Sequence, residues 1–525
     1  MDKNRKSAGL FSAIALSVGT MLGSGWLFAP YYASKVAGGA SILSWIIGAV
    51  AILIMALLLA EIAIKHPVNG LFTRLISLSH NKHFGFVTAI SNWLLGLIVI
   101  PSEAMATTQY IASIWPKITT HIFADDQLTI IGITIVGVLM FVYTLINYWG
   151  LKFFARINNS ITSLKIIIPI ATAVLIMLAA FHSDNFTAQS HRFVPFGSGS
   201  IFSAIVSCGI FYSFFGFQVA ASFSAEIKNP KRNVPIALIS SVMIVLGIYL
   251  LLQIAFIGSL PPHLLAGGWS GLNFESPLAQ LTGLLGLNAL AVVLYADALV
   301  SPSGTGSILT GASTRMLNEM AKHKQMPAIF ARVNNRFNLS RSSLIFTFLC
   351  SLLLIIFFRN WQMIASLTTT FILISCVALP VAYVKLKSTD KNASAIRYLP
   401  LPGFFAFAIY LFIGYMLMIS GIINLTVALV LHLLFFIVYS LVNAKSMHKY
   451  LELKRAFASS WSIFVFLSFE LAMAIYHQYA VSLLWFYLLF LPLLALLYLL
   501  MIQQKDHDLQ AVPSTLSPVL NPGNS

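Results

Sequence analysis

Hydrophobic residues in this chain form long runs that are separated by short polar segments. Most runs reach about 20 residues, the length that an α-helix needs to cross the hydrocarbon core of a bilayer. The pattern predicts fourteen membrane-spanning helices, at about 9–36, 40–64, 84–114, 128–148, 157–181, 199–225, 234–260, 283–313, 342–358, 361–386, 403–423, 425–444, 460–477 and 480–502. The segments between them are too short to build a soluble domain.

Small residues interrupt the first run halfway along its length. The stretch SVGTMLGSGWLFAP, residues 17–30, contains Gly19, Gly23 and Gly25. The G-x-x-x-G spacing of the first two is typical of a helix-packing face. However, Gly23 lies twelve residues after Phe11, or roughly 18 Å along a helix, and therefore near the bilayer centre. A helix that unwinds there must border a polar cavity, because lipid cannot satisfy free peptide groups.

The sixth run has a similar interruption, with Gly216 among aromatic residues and Gln218 just after it. A single glycine in a span usually serves packing. Spans one and six stand in equivalent places, however, if spans 1–5 and 6–10 are inverted repeats, and paired broken helices indicate a transporter binding site. Their amino ends attract a carboxylate, and their free carbonyl groups attract an ammonium group. The pattern favours an amino acid as the ligand.

Composition and charge distribution indicate an integral membrane protein. It has 525 residues, of which 58% are hydrophobic and 9% charged, with a mean hydropathy of +0.88. The net charge of +16 could indicate nucleic-acid binding. With the amino terminus in the cytoplasm, however, 26 of the 31 Lys and Arg residues fall in cytoplasmic segments and four outside. We therefore expect a multi-pass protein of the cytoplasmic (inner) membrane, with both termini cytoplasmic, lipid contacts and no nucleic-acid partner.

The sequence lacks the usual signs of an enzyme or a cofactor site. It has no H-E-x-x-H, P-loop or C-x-x-C motif, and its three cysteines lie far apart in apolar segments. The histidines within spans, His432 and His477, are isolated. We therefore expect neither an enzyme nor a bound metal or cofactor. The Pro/Ser-rich end of the chain, residues 503–525, predicts a disordered cytoplasmic tail.

Four stretches, in order, resemble the amino acid permeases of the amino acid–polyamine–organocation superfamily. They are GTMLGSGWLFAP, LLLAEIAIKHPVNG, FFGFQVAASFSAEIKNPKRNVPIAL and ADALVSPSGTGSILTGASTRMLNEMAKHKQMPAIFARVN, within about the first 390 residues. The resemblance implies an all-α integral membrane protein with a five-plus-five inverted-repeat core, discontinuous helices 1 and 6, and alternating access. The repeats would cover 8–182 and 198–388, and four additional helices would cover 402–502. The family usually has twelve helices, so two of these are extra.

The same resemblance implies two groups of substrate-binding residues. Those in the first motif would hold the carboxylate of an amino acid, and those in span six its ammonium group and side chain. In order, they are Thr20, Met21, Gly23, Ser24, Gly25, Tyr212, Phe215, Gly216, Phe217 and Gln218. Related cationic exchangers have a glutamate at the position of Gln218, so a guanidinium would lack a charge partner here. The aromatic residues favour a larger neutral side chain; a carboxylate is the alternative, if its charge meets a proton or Lys165.

Three ionisable residues within spans are candidates for proton coupling: Lys165, Glu103 and Asp297. Burying a lysine costs about 2.5–3.5 kcal/mol, so the alternative for Lys165 is a side chain that snorkels to the interface. In the resembling family a lysine here reaches toward unwound span one, in the place that sodium occupies in sodium-coupled relatives. The alternative for each carboxylate is a structural hydrogen bond. Glu61 and Glu226, at span ends, fit structural or gate contacts.

Together these observations predict a secondary active transporter that moves amino acids with protons across the cytoplasmic membrane. An amino acid exchanger is the alternative within transport. A membrane receptor or sensor is the alternative of another class, but the short loops supply no signalling element. The expected partners are the amino acid, protons and lipid. The sequence leaves open which amino acid is carried, the oligomeric state, and the role of the extra helices, where Glu470 has no obvious partner.

Overall fold

The computed structural model describes most of the chain. The described residues are 9–65, 71–149, 152–187, 193–224, 226–334, 339–389, 398–443, 449–480 and 482–504. They are mostly helical, as the hydrophobic pattern predicts. The predicted tail lies almost wholly outside them.

The first part of the described chain forms twelve α-helices and two short strands. They are α1 (Leu10–Met21), α2 (Gly25–Ala37), α3 (Ser41–Lys65), α4 (Leu71–Ser79), α5 (Lys82–Ala112), α6 (Pro116–Ile122), β1 (Phe123–Ala124), β2 (Gln127–Leu128), α7 (Ile130–Trp149), α8 (Lys152–Ala179), α9 (Asp184–Thr187), α10 (Gly199–Ser207), α11 (Ile210–Ser213) and α12 (Val219–Ser222).

The second part adds nine α-helices. They are α13 (Pro230–Ser259), α14 (Pro277–Leu284), α15 (Asn288–Lys322), α16 (Arg341–Phe357), α17 (Trp361–Thr389), α18 (Pro402–Met418), α19 (Ile422–Asn443), α20 (Lys449–Tyr479) and α21 (Leu483–Gln503). Short 3₁₀ turns cover Gly38–Ala40, Pro262–Leu265, Trp269–Gly271 and Ala328–Ala331.

Many of these helices can cross a bilayer. Within the described ranges, nine segments are long and apolar enough, and four shorter apolar helices accompany them. The nine are Gly25–Lys65, Lys82–Ala112, Ile130–Tyr148, Pro230–Ser259, Asn288–Lys322, Trp361–Ser388, Ile422–Val442, Leu453–Tyr479 and Leu483–Gln503; the four are Leu10–Met21, Ser163–Ala179, Arg341–Phe357 and Pro402–Met418. The protein is therefore a multi-pass membrane protein. The number of crossings stays a prediction.

Two sides of the helical bundle are distinguished below. The side on which α1 begins is the amino-terminal face, and the side on which α2 ends is the opposite face. Successive crossings then place the start of α5 at the amino-terminal face and the start of α17 at the opposite face. Helices α5 and α17 form the centre of the bundle, because the most apolar stretch of each is 94% buried. Helix α5 packs against both α15 and α17.

The start of α5 is tied to the last two helices of the chain. The side chain of Asn81 accepts two backbone N–H groups of the first turn, which caps the helix. Its amide nitrogen donates to the carbonyl oxygen of Ser459 in α20 at 2.8 Å. Next to it, Nε2 of His80 lies 3.0 Å from the carbonyl oxygen of Met501 in α21. Helices α20 and α21 therefore hold one end of α5.

A small β-hairpin at the opposite face was not predicted from the sequence. Strands β1 and β2 are joined by Asp125 and Asp126, whose φ angles are 49° and 59°. A two-residue hairpin turn needs positive φ at both positions, which aspartate tolerates better than most residues. Leu128 donates its N–H to the carbonyl of Arg359, and Asn360 donates to that of Asp126. The hairpin thereby fixes the segment that leads into α17. Each strand has only two residues, too few to show the alternation of polar and apolar residues from which a strand is predicted.

Candidate functional site

The first apolar run is two helices, because α1 ends at Met21 and α2 begins at Gly25. Between them, Leu22 has φ −91° and ψ 74°, outside the helical region. The backbone N–H of Ser24 has no partner in α1 and donates to Glu103 on α5, with nitrogen–oxygen distances of 2.9 Å to Oε2 and 3.2 Å to Oε1. A carboxylate at this position is favourable, since the amino end of a helix carries partial positive charge.

Two glycines allow polar side chains to approach the break. A Cβ atom at Gly23 would lie 2.5 Å from Oε1 of Glu103, so a larger residue would displace the carboxylate. A Cβ atom at Gly25 would meet the hydroxyl of Ser213 and would lie 3.3 Å from that of Tyr249. The glycines therefore serve both functions that the sequence suggested, since they permit close packing and lie where the helix is broken.

The sixth apolar run is broken twice. Helix α10 ends at Ser207, α11 covers four residues, and α12 begins at Val219. Gly209 and Gly216 have φ angles of 79° and 118°, which other residues rarely adopt. A Cβ atom at Gly216 would lie 2.9 Å from Cβ of Thr20. Gly216 therefore brings the break of the sixth run against the end of α1.

Tyr212 in α11 connects the two breaks. Its hydroxyl donates to Oε1 of Glu103 at 2.7 Å. The same hydroxyl lies 2.9 Å from the Oγ atoms of both Ser24 and Ser102. All four side chains are buried. Glu103, Ser24 and Tyr212 thus form one hydrogen-bonded cluster of groups from α5, the first break and the sixth run.

Lys165 on α8 keeps its charge inside the protein. The side chain is only 2% exposed, and Nζ donates to Oγ1 of Thr305 on α15 at 2.6 Å. The ammonium group therefore does not extend to a membrane surface, as the snorkelling alternative requires. It interacts electrostatically with Glu103 and Asp297. The structure therefore brings the amino group of Lys165 within electrostatic range of the cluster around the first break.

Asp297 lies farther from the breaks. It precedes Thr305 by eight residues in α15, about 12 Å along the helix axis. Among the described residues, its Oδ2 atom is buried and has no hydrogen-bond partner. The neighbouring carbonyl of Ala298 accepts a hydrogen bond from Thr107 on α5 at 3.0 Å. The structure joins Asp297 to the site through packing of α15 on α5, not through a hydrogen bond to Glu103 or Lys165.

The other residues of the two predicted groups lie at the edges of the site. The carbonyl of Met21 accepts a hydrogen bond from Tyr249 at 3.3 Å. Phe217 is 1% exposed and belongs to the hydrophobic core. Phe215 and Gln218 are half-buried, and within the described chain Oε1 of Gln218 is buried without a partner.

Sequence reasoning missed Trp361, the first residue of α17. Its indole N–H donates to Oγ of Ser24 at 3.1 Å. Its ring stacks on those of Phe28 and Tyr32, with centroid distances of 4.8 Å and 5.7 Å. A tryptophan at the start of a span usually lies at the membrane interface, so no local sequence signal indicates this inward position. These three rings close the site toward the opposite face.

Glu61 forms a contact at the amino-terminal face. Its carboxylate accepts hydrogen bonds from the hydroxyl of Tyr383 and from the backbone N–H of Tyr398, the latter at 2.9 Å. Burial, and then the negative charge of Glu61, raise the pKa of the Tyr398 hydroxyl. This contact joins the end of α3 to the end of α17 and to the segment after it. Glu470 on α20 lies outside the site, and its carboxylate oxygens have no partner among the described residues.

A family model and several relatives match the chain. The model for amino acid permeases covers residues 9–442. This chain belongs to the amino acid permease family. The prediction made from the four motifs is thereby confirmed. The match ends before α20, so the last two helices of the permease lie beyond it.

Relatives of the permease are transporters. It is 38% identical over 395 residues to the glutamate/serine transporter AimA of Bacillus subtilis (strain 168), which is 75% of this chain and 73% of that protein. It is 30% identical over 459 residues to the aspartate-proton symporter of the same strain, covering 87% of each chain. It is 25% identical over 337 residues to the methylthioribose transporter of that strain, covering 62% of this chain and 69% of that protein.

Proposed function

We propose that this permease carries amino acids across the membrane together with protons, by alternating access. The observation that carries the proposal is the position of Glu103. Its carboxylate holds the N–H of Ser24 at the first break and the hydroxyl of Tyr212 in the sixth run. An ionisable group that joins both breaks can make the hydrogen bonds there depend on protonation. The relatives that transport glutamate, serine and aspartate support these amino acids as substrates.

The amino end of α2 would receive the carboxylate of the substrate. The N–H group of Ser24 lies where the two breaks meet, and carbonyl groups at the end of α1 would receive the ammonium group. Glu103 and the substrate carboxylate would then compete for the Ser24 N–H. Two anions at one site repel each other, so substrate binding would favour protonation of Glu103. This competition would link one proton to one amino acid.

Lys165 would supply an ammonium group that loses and regains a proton during the transport cycle. It lies within electrostatic range of Glu103 and Asp297 and is bonded to Thr305. In its charged form it would take the place of a bound sodium ion, so transport would not require sodium, and its proton exchange would couple transport to protons. Asp297 would pass protons between this region and the membrane surface, as buried carboxylates do in other transporters.

The architecture that we propose has fourteen crossings. Two inverted repeats would cover 8–182 and 198–388, and four additional helices 402–502. The excess of Lys and Arg on one side supports a position in the cytoplasmic (inner) membrane with both termini in the cytoplasm. The amino-terminal face would then be cytoplasmic, and the rings around Trp361 would close the site toward the outside.

The proposal is tested by uptake into proteoliposomes. A competition panel of the twenty amino acids, at two pH values and with and without sodium, identifies the substrate. We expect glutamate, aspartate or serine to compete, and a pH gradient with an alkaline interior to drive accumulation without sodium. Exchange of internal for external substrate without net uptake would instead favour the exchanger.

Lys165→Ala tests the coupling. We expect this variant to lose accumulation driven by the pH gradient. The matched control is Lys322→Ala, because Lys322 is exposed and pairs with Glu319 on the surface. If Lys165→Ala still accumulates substrate against a gradient as the control does, Lys165 does not couple protons to transport.

A further inference from the structure

A cavity of about 610 Å³ lies near the opposite face, between α10 and α17 on one side and α18, α19 and α20 on the other. Its walls come from the end of α10, the start of α17, the turn between α18 and α19, and the end of α20. None of the residues assigned above to the substrate or to proton coupling lines it. It is therefore distinct from the substrate site.

The chemistry of the walls is uncharged. None of the eleven described lining residues carries a charge. Two amide side chains border the cavity: Gln362 is half-buried and Gln478 is exposed. Ser207 also lines the cavity, and its hydroxyl donates to the carbonyl of Ser203 and can still accept a hydrogen bond. Met363 and Ile423 add apolar surface and are 37% and 67% exposed. The cavity offers hydrogen bonds to a neutral polar group and apolar contacts to a chain beside it.

One part of the wall is held in place by internal hydrogen bonds. The amide nitrogen of Asn424 donates to Oγ of Ser366 and to the carbonyl of Ser420, both at 2.9 Å. These bonds join α17 to the turn between α18 and α19. Hydrogen bonds therefore hold α17 and the α18–α19 turn together at the wall of the cavity.

The position of the cavity indicates what occupies it. Helix α17 begins here, α18 and α20 end here, and α19 begins here, so the cavity lies at the level where spanning helices leave the hydrocarbon. Lipid head groups lie at that level. An anionic head group would find no positive side chain among the described lining residues. A head group rich in hydroxyls can bond to amides and hydroxyls without any charge partner.

We propose that this cavity binds a neutral glycolipid of the surrounding bilayer. The sugar would bond to the amides of Gln362 and Gln478 and to the hydroxyl of Ser207. One acyl chain would lie along Met363 and Ile423 toward the lipid.

Such a lipid would act on the closure of the site, a consequence that rests on the proposed function. Gln362 directly follows Trp361, and its amide lies 4.0 Å from the sulfur of Cys208, which donates to the carbonyl of Tyr32 at 3.3 Å. The tip of the Trp361 ring would lie 2.9 Å from a Cβ atom at Gly209. In the proposed cycle, opening toward the opposite face would separate α17 from α10. A lipid bonded to both would oppose this movement and slow transport without competing with substrate.

Photolabelling tests the lipid site directly. The probe is a glucosyl diacylglycerol with a diazirine in one acyl chain, added to nanodiscs that contain the full-length protein. We expect saturable labelling of peptides that contain Met363 or Ile423. Unlabelled glucosyl diacylglycerol should compete, and an equal amount of phosphatidylglycerol should not.

A double variant, Gln362→Leu with Gln478→Leu, removes both amides at similar size. We expect about a tenfold loss of specific labelling, because two hydrogen bonds to the sugar are lost. Gln503→Leu, at the far end of α21, is the matched control and should label as the wild type does. Thermal unfolding shows whether the variants fold.

Three results would overturn the proposal: labelling spread evenly over lipid-facing helices, labelling unchanged in the double variant, or equal competition by phosphatidylglycerol. The labelling does not depend on any transported substrate, so its failure is distinguishable from failure of the proposed function. In proteoliposomes, the same lipid should lower the maximal uptake rate of the wild type but not that of the double variant.

Discussion

Replacing Glu103 by glutamine changes the charge where the two breaks meet but keeps the size of the side chain. The carboxylate accepts the Ser24 N–H at 2.9 Å and the Tyr212 hydroxyl at 2.7 Å. A hydrogen bond to a charged group contributes about 1.5–3 kcal/mol, and a neutral one about 0.5–1.5 kcal/mol. Glutamine keeps one acceptor oxygen, and with that oxygen turned toward Ser24 the bond to the N–H weakens by about 1 kcal/mol, while the Tyr212 hydroxyl loses its anionic acceptor. The neutral amide also avoids the cost of burying an anion, which limits the loss of stability.

Glu103→Gln should tighten the binding of the substrate. If Glu103 competes with the substrate carboxylate for the Ser24 N–H, a hold on that N–H weaker by about 1 kcal/mol lets substrate bind up to about fivefold more tightly. Accumulation driven by a pH gradient should disappear, because the amide does not take up a proton. Equilibrium binding of the substrate found by the competition panel, at pH 7.5, measures the first effect, and proteoliposome uptake the second.

The control is Glu319→Gln, an exposed carboxylate that pairs with Lys322 on the surface. It should change neither quantity. Substrate binding to Glu103→Gln that is unchanged or weaker, together with accumulation equal to that of the control, would refute the competition between Glu103 and the substrate.

Three further changes have expected outcomes. Gly216→Ala forces a side chain into φ 118° at a cost of about 1–3 kcal/mol, so Tm should fall by about 1–3 °C. Gly247→Ala, with open space around it, should not lower Tm, and equal Tm values for both variants would contradict the strain. Trp361→Phe removes the indole hydrogen bond to Ser24, worth about 1 kcal/mol. In hydrogen–deuterium exchange, peptides spanning the first break should therefore exchange roughly fivefold faster. Unchanged exchange would show that the stacked rings alone keep the site closed. Burial, and then the charge of Lys385, lower the pKa of His80 to about 3. As pH drops, His80 is therefore protonated in the unfolded chain before it is protonated in the folded one. The free energy of unfolding falls between about pH 6.5 and pH 3, by up to about 1.4 kcal/mol per pH unit. His80→Gln should flatten this dependence in thermal unfolding measured from pH 7.5 to 4.5, and an equally steep profile would show that another group titrates.

The interruptions in the first and sixth runs were within reach of sequence reasoning. Their signal is local, because glycine weakens a helix and permits positive φ, as at Gly216. The helical class follows from the hydrophobic runs alone. The boundaries of α1 and α2 follow less directly, since the pattern predicts one continuous run with a weak point.

The contacts that assemble the site were beyond that reasoning. Ser24 is separated by 79 residues from Glu103 and by 337 from Trp361, and neither pair has a local signature. Glu103 was a candidate because a carboxylate in a span is unusual. Trp361 was not, because tryptophans at span ends are common. Sequence pattern identifies chemically unusual residues, but only the packing of α5 and α17 against the first break shows which of them meet.

The anchoring of α5 gives the last two helices a definite task. Their backbone carbonyls at Ser459 and Met501 accept the hydrogen bonds of Asn81 and His80. A chain truncated at residue 442 would keep everything that the family model matches. The amide of Asn81 and the imidazole of His80, at the start of α5, would nevertheless lose these acceptors. Glu103 lies on the same helix. Helices α20 and α21 thus stabilise the helix that carries Glu103. Their removal should make the site around Glu103 less rigid, although Glu103 bonds to neither helix.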